Sequence, residues 1–91
     1  MMKKRQFTIY GRVQGVGFRF YTAQFARKLL LCGSVKNLSD GSVLVIAQGV
    51  TEQIDSLRQW LQQGPPTAKV ERVIEQDYLG ERHFSEFSIE R

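Results

Sequence analysis

Gly11-Arg12-Val13-Gln14-Gly15-Val16-Gly17-Phe18-Arg19 separates two different periodicities. Before it, residues 6–13 alternate as a half-buried strand does, with Phe7, Ile9, Gly11 and Val13 on one face and Thr8, Tyr10 and Arg12 on the other. After it, Phe18, Thr22, Phe25, Ala26, Leu29 and Leu30 recur at helical spacing. A strand that enters a helix through two glycines gathers main-chain N–H groups at the positive end of a helix dipole. With the Arg19 guanidinium at its rim, such a turn suits a phosphate-sized anion.

Working outward, Gly33 is placed to stop the first helix in a left-handed cap, with Cys32 a buried residue of that helix. Residues 34–38 read as a short strand and Asp40-Gly41 as a tight hairpin turn. Val43, Leu44, Val45 and Ile46 follow without interruption, which suits a central strand shielded on both faces. Thr51 is placed to cap a second helix whose Ile54, Leu57 and Leu61 face inward, and Gly64-Pro65-Pro66 ends it. Residues 68–78 form a longer strand with Val70, Ile74 and Tyr78 on one side; Val73 breaks the alternation and invites a bulge. A loop over 79–83 leads to a short last strand marked by Phe84, Phe87 and Ile89. This βαββαβ order with an added C-terminal strand predicts an α+β, ferredoxin-like sandwich, with two helices on one face of an antiparallel sheet and a single domain over residues 1–91.

Composition narrows the function classes. Thirteen Lys and Arg against nine Asp and Glu leave a net charge of +4, for which an ordinary solvated surface is the leading explanation and an anionic ligand, either a small phosphate or a nucleic acid, the sharper one that charge alone does not separate. No apolar run approaches the roughly 18 residues of a membrane span, and the basic N-terminus leads into a strand pattern, so the expected location is the cytoplasm, as a monomer away from membranes. A single cysteine forms no internal disulfide, and Cys32 and His83 alone make a poor zinc set.

The glycine turn lacks the Gly-x-x-x-x-Gly-Lys-Ser/Thr of a nucleotide P-loop, because Gly17 is followed by Phe18 and Arg19. A dinucleotide fingerprint fails as well, and Leu38 stands where a cysteine phosphatase would need an arginine after Cys32. The aspartates are scattered over turns and helix, with no paired-carboxylate pattern. An anion cradle without nucleophile or metal can still hydrolyse an acyl phosphate. The leaving group is a carboxylate whose conjugate acid has a pKa of about 4, so it departs unprotonated at neutral pH. An arginine, several N–H donors and one polar group to orient water suffice. Asn37, a residue type depleted in strands, is the candidate for that polar group. The residues leave a second role open for it, starting the Asp40-Gly41 turn. Arg19 has an ordinary alternative too, as a surface helix residue.

The stretch from Gly11 to Arg19 resembles the signature of the acylphosphatase family. Gly33-Ser34-Val35-Lys36-Asn37-Leu38-Ser39-Asp40-Gly41-Ser42-Val43, continuing to Gly49, resembles that family's second signature. The likeness extends over nearly the whole chain. It implies a small metal-independent hydrolase with no cofactor, converting an acyl phosphate and water to a carboxylate and phosphate. By the same resemblance Arg19 and the N–H groups of Gln14, Gly15, Val16, Gly17, Phe18 and Arg19 bind the phosphoryl group, and Asn37 positions the attacking water. Inorganic phosphate or sulfate would compete as an anion. Two positions depart from the family pattern: Ser34 replaces a usual aromatic residue, and the chain ends Ile89-Glu90-Arg91 without an aromatic.

Other classes compete. Gly15-Val16-Gly17-Phe18-Arg19-Phe20-Tyr21 superficially echoes the aromatic octamer of RNA-recognition motifs, but that octamer belongs on the third strand, which here carries no aromatic residue. Specific nucleic-acid binding is therefore not expected. Large carbamoyl-transferring maturation proteins carry a similar domain at their head, together with further domains and zinc motifs that this sequence lacks. A phosphate-binding domain without turnover would need a defect at Arg19 or Asn37, and the sequence has none.

Overall fold

The computed structural model describes residues 1–91. The elements run β1 (Met2–Arg12), α1 (Phe18–Lys28), β2 (Cys32–Asn37), β3 (Val43–Val50), α2 (Thr51–Leu61), β4 (Lys69–Asp77) and β5 (Phe87–Glu90). The strands form one sheet in the order β4-β1-β3-β2-β5. Both helices pack on the same face. Phe7, Ile9, Val35, Val43, Val45, Ala47 and Phe87 from the sheet meet Phe18, Ala23 and Ala26 of α1 and Ile54, Leu57 and Leu61 of α2 in one buried cluster. This is the expected ferredoxin-like α+β sandwich.

The sheet is mixed rather than antiparallel. β5 pairs parallel with β2, Gly33 opposite Phe87 and Val35 opposite Ile89. β4 and β5 lie at opposite edges, so the connection over residues 78–86 must cross the sheet, and it does so on the face away from the helices. Lys4, paired with Gln48 on that outer face, donates from Nζ to the Arg82 carbonyl at 2.9 Å. Crossing the sheet returns the chain to β2 running in the same direction. The strap carries the buried Phe84, which lies ahead of β5 rather than in it. It explains why β3 is apolar on both faces: Val43, Val45 and Ala47 face the helices, and Ile46 is buried on the other side. Ser34 is also buried on that side, opposite Ile46.

Three local expectations change. Gly33 does not cap α1, which closes at Leu29; Leu30 takes the left-handed conformation (φ 63°) and the Leu31 N–H reaches back to the Ala26 carbonyl at 3.0 Å. This exposes Leu30 but buries Leu31, and makes Cys32 the half-buried first residue of β2. Gly33 instead lies inside β2 because a Cβ there would sit 1.9 Å from the Ile46 carbonyl oxygen. Thr51 is the first residue of α2, not its cap; the Val50 N–H is held at 2.8 Å by Oε1 of Gln53. In β4 the anticipated bulge is real: Tyr10 pairs with Arg72 but Gly11 with Val70, leaving Glu71 as the extra residue. The bulge flips the alternation, so Val70 and Val73 both pack on the core, while Ile74 pairs with Thr8 on the outer face.

Candidate active site

The glycine turn between β1 and α1 has the geometry its sequence suggests. Gly15 (φ 74°) and Gly17 (φ 79°) are both left-handed, a conformation costly for residues with a Cβ. Gly17 is the N-cap of α1, so no side chain caps this helix, and its first turn holds no acidic residue. The start of α2 differs, with its entry N–H occupied by Gln53 and Glu52 in its first turn. None of the main-chain N–H groups from Gln14 to Phe20 donates to an acceptor in the protein. A run of open donors at the positive end of a helix dipole favours an anion.

A cleft of about 210 Å³ opens at this turn, lined by Gly15, Gly17, Phe18, Arg19 and Asn37 together with Val13, Phe20 and Ile89. Five of the residues singled out from the sequence are thus brought together. The side chains of Gln14 and Val16 are not part of the lining. Gln14 turns toward the β2–β3 hairpin, where Nε2 donates to the carbonyls of Leu38 and Ser42, each at 2.8 Å. Val16 packs against the core, and its carbonyl accepts from the Thr67 hydroxyl at 2.6 Å. Both contacts fix the turn from behind.

Arg19 is half-buried. Its Nη1 donates to the Glu90 carbonyl at 2.9 Å, and it has no carboxylate partner, so its full charge and remaining donors are available to the cleft. Asn37 ends β2 opposite Val43. Its Oδ1 is buried without a hydrogen-bond partner in the protein, as are Thr22 Oγ1 and Gln48 Oε1. The turn beyond it does not depend on Asn37. Asp40 accepts from the Ser42 N–H at 2.9 Å and hydroxyl at 2.5 Å, and these bonds hold its carboxyl below its usual pKa.

Sequence reasoning missed four contributors. The clamp from Gln14 had no signal beyond an amide next to the glycines. The Glu90 carbonyl had none, since every residue carries one. Ile89 and Phe20 at the mouth are exposed apolar residues that periodicity alone assigns to a strand and a helix surface. Elsewhere, Phe18 is buried and β3 carries no aromatic residue. No group of three or more His, Cys, Asp or Glu side chains gathers as a metal-ligand set, and no helix is long and apolar enough to cross a membrane.

Comparisons with known proteins point to one family. The family model described as acylphosphatase matches residues 5–89. An acylphosphatase of Actinobacillus succinogenes is 59% identical over 90 residues, covering 99% of this chain and 100% of the relative. The crystal structure of an acylphosphatase from Bacillus subtilis superposes with a TM-score of 0.91 at 33% identity, over 100% of both chains. One from Coxiella burnetii gives 0.89 at 38%, covering 98% of this chain and 93% of its own.

Proposed function

The chain belongs to the acylphosphatase family and hydrolyses acyl phosphates, and we propose that the cleft between α1 and the β2–β3 hairpin does this without a metal, Arg19 and the 14–19 turn binding phosphate and Asn37 orienting the water. The observation that carries the reading is the convergence on one cleft of a half-buried guanidinium, uncapped N–H donors and an orphaned buried Oδ1.

In this mechanism the turn amides and the Arg19 donors left free by Glu90 take the phosphoryl oxygens and stabilise the charge that spreads over them in a loose transition state. Asn37 Oδ1 accepts one hydrogen of a water, so the oxygen lone pair faces phosphorus opposite the acyl oxygen. The P–O bond to the acyl group breaks as the water oxygen bonds to phosphorus. The carboxylate leaves with the bonding pair, and the water proton passes to a phosphate oxygen. No side chain with a tuned pKa is needed, because the leaving group is already a weak base.

The protein acts as a monomeric single domain in the cytoplasm on a small-molecule substrate, with inorganic phosphate or sulfate as competing anions. The experiment is a spectroscopic assay of benzoyl phosphate hydrolysis in the presence of a chelator. Wild-type turnover should persist and be inhibited by phosphate. Arg19→Lys should lose about 10²-fold or more, since an ammonium cannot make the planar two-pronged contact. Near-normal turnover by that variant, or loss of wild-type activity on chelation, would refute the mechanism.

A further inference from the structure

The position of Arg19 depends on the end of a short edge strand: its start is anchored by the buried Phe87, whose carbonyl accepts from Arg27 Nε and Nη2 at 3.0 and 2.8 Å, but its end at Glu90 is tied separately. Arg19 Nη1 bonds to the Glu90 carbonyl, and β5, which carries Glu90, is four residues long and paired on one side only. Edge strands this short open readily unless something else ties them down.

The tie is on the opposite face of the sheet. Glu90 pairs with Lys36, and its side chain meets the strap that crosses the outer face. There Arg82 donates to both carboxylate oxygens, at 2.6 and 3.2 Å, a fork geometry that fixes orientation as well as distance. Arg82 is itself held in place. Its carbonyl accepts from Lys4 Nζ at 2.9 Å, and its guanidinium lies 4.7 Å over the ring of the buried Phe84. The Phe84 ring in turn meets Tyr78 edge-on. The Arg82 guanidinium holds the Glu90 carboxyl below its usual range, so the pair stays charged at neutral pH.

We infer that Arg82, outside the cleft and on the far side of the sheet, is a positioning residue for phosphate binding: by gripping the Glu90 carboxylate it fixes the Glu90 carbonyl that orients Arg19. This rests on Arg19 being the phosphate ligand. Losing Arg82 acts in two ways that add. It loosens the carbonyl tether, and it leaves a free carboxylate on the strand that borders an anion site.

The test compares Arg82→Ala, Arg82→Lys, Glu90→Gln, the Arg82→Ala/Glu90→Gln pair and Arg19→Ala, measuring Ki for inorganic phosphate, KM and kcat for benzoyl phosphate, and Tm. Arg82→Ala should weaken phosphate about two- to fivefold, the range for an exposed ion pair. The loss should appear in Ki and in kcat/KM together, because Arg19 holds the phosphoryl group in the ground state as well as stabilising the transition state. Arg82→Lys should recover part of it. The double variant should be no worse than the poorer single variant, since both break one link. Unchanged Ki in Arg82→Ala, with phosphate affinity lost in Arg19→Ala, overturns the inference and leaves the site intact. Additive losses in the double variant overturn it too, whatever happens to Tm. Unchanged Ki in Arg19→Ala overturns the site reading and this inference together.

Discussion

Replacing Asn37 by alanine separates the two roles open to that residue, because they predict opposite effects on stability. Oδ1 of Asn37 is buried with no partner, and no other atom of its side chain makes a hydrogen bond in the protein. A buried acceptor left unsatisfied costs about 1–3 kcal/mol. Alanine removes that cost and gives up the van der Waals contacts of one small amide, an offset of about 1 kcal/mol. The net change should lie between zero and about 2 kcal/mol in favour of the variant. For a chain of this size each kcal/mol moves Tm by roughly 4–8 °C, so Tm should hold or rise by as much as about 8–16 °C. Turnover should fall about 10²–10³-fold, the usual cost of losing one well-placed polar group at a reacting centre. Phosphate inhibition should persist, since its donors are the turn amides and Arg19. Thermal melts, benzoyl phosphate kinetics and a phosphate Ki on the same preparation decide the matter. A variant that melts several degrees lower yet turns over normally would make Asn37 a turn builder, and the water would need another partner.

Gln14→Ala should uncouple the cradle from the hairpin that carries Asn37; loss of two 2.8 Å hydrogen bonds to Leu38 and Ser42 should cost about 1–3 kcal/mol in denaturant melts and roughly tenfold in kcat/KM. Gly33→Ala places a Cβ 1.9 Å from the Ile46 carbonyl at φ 148° and should cost about 3 kcal/mol or more by the urea midpoint, with no direct effect on the cleft chemistry of the folded fraction. Glu75 is held below its usual carboxyl pKa of 4.5, chiefly by hydrogen bonds from Arg58 and then from Arg5. Its folded-state pKa is therefore below the unfolded one, so its stabilisation is full at neutral pH and is lost as pH falls through the folded value. Glu75→Gln should flatten the fall in Tm as pH drops below about 4.5; an unchanged acid limb would remove Glu75 from its causes.

Features confined to one stretch of chain were legible, and those set by a distant main-chain atom were not. The β1–turn–α1 passage could be read because its constraints are local: period two becomes period 3.6 across two glycines, and both adopt the positive φ that such a passage needs. Val73 signalled a bulge by breaking alternation. The side-chain pattern could not say that Glu71 was the extra residue, so it set Ile74 on the wrong face. For Gly33 the nearest task that calls for glycine is a helix cap, whereas its actual task is set by the Ile46 carbonyl on the neighbouring strand. The parallel pairing of β5 likewise follows from a strap crossing the outer face, and nothing in Phe87–Glu90 states its direction. The cleft divides in the same way. Arg19 and Asn37 stood out because a guanidinium beside a glycine turn and an amide inside a strand are unusual for their positions. The Glu90 carbonyl that holds Arg19 has no residue signature at all, since any amino acid at that position supplies one. What is particular to glutamate there is the carboxylate on the other face, and that carboxylate meets Arg82. The side chain of residue 90 therefore bears on the Arg19 tether through a contact on the side of the sheet away from the cleft.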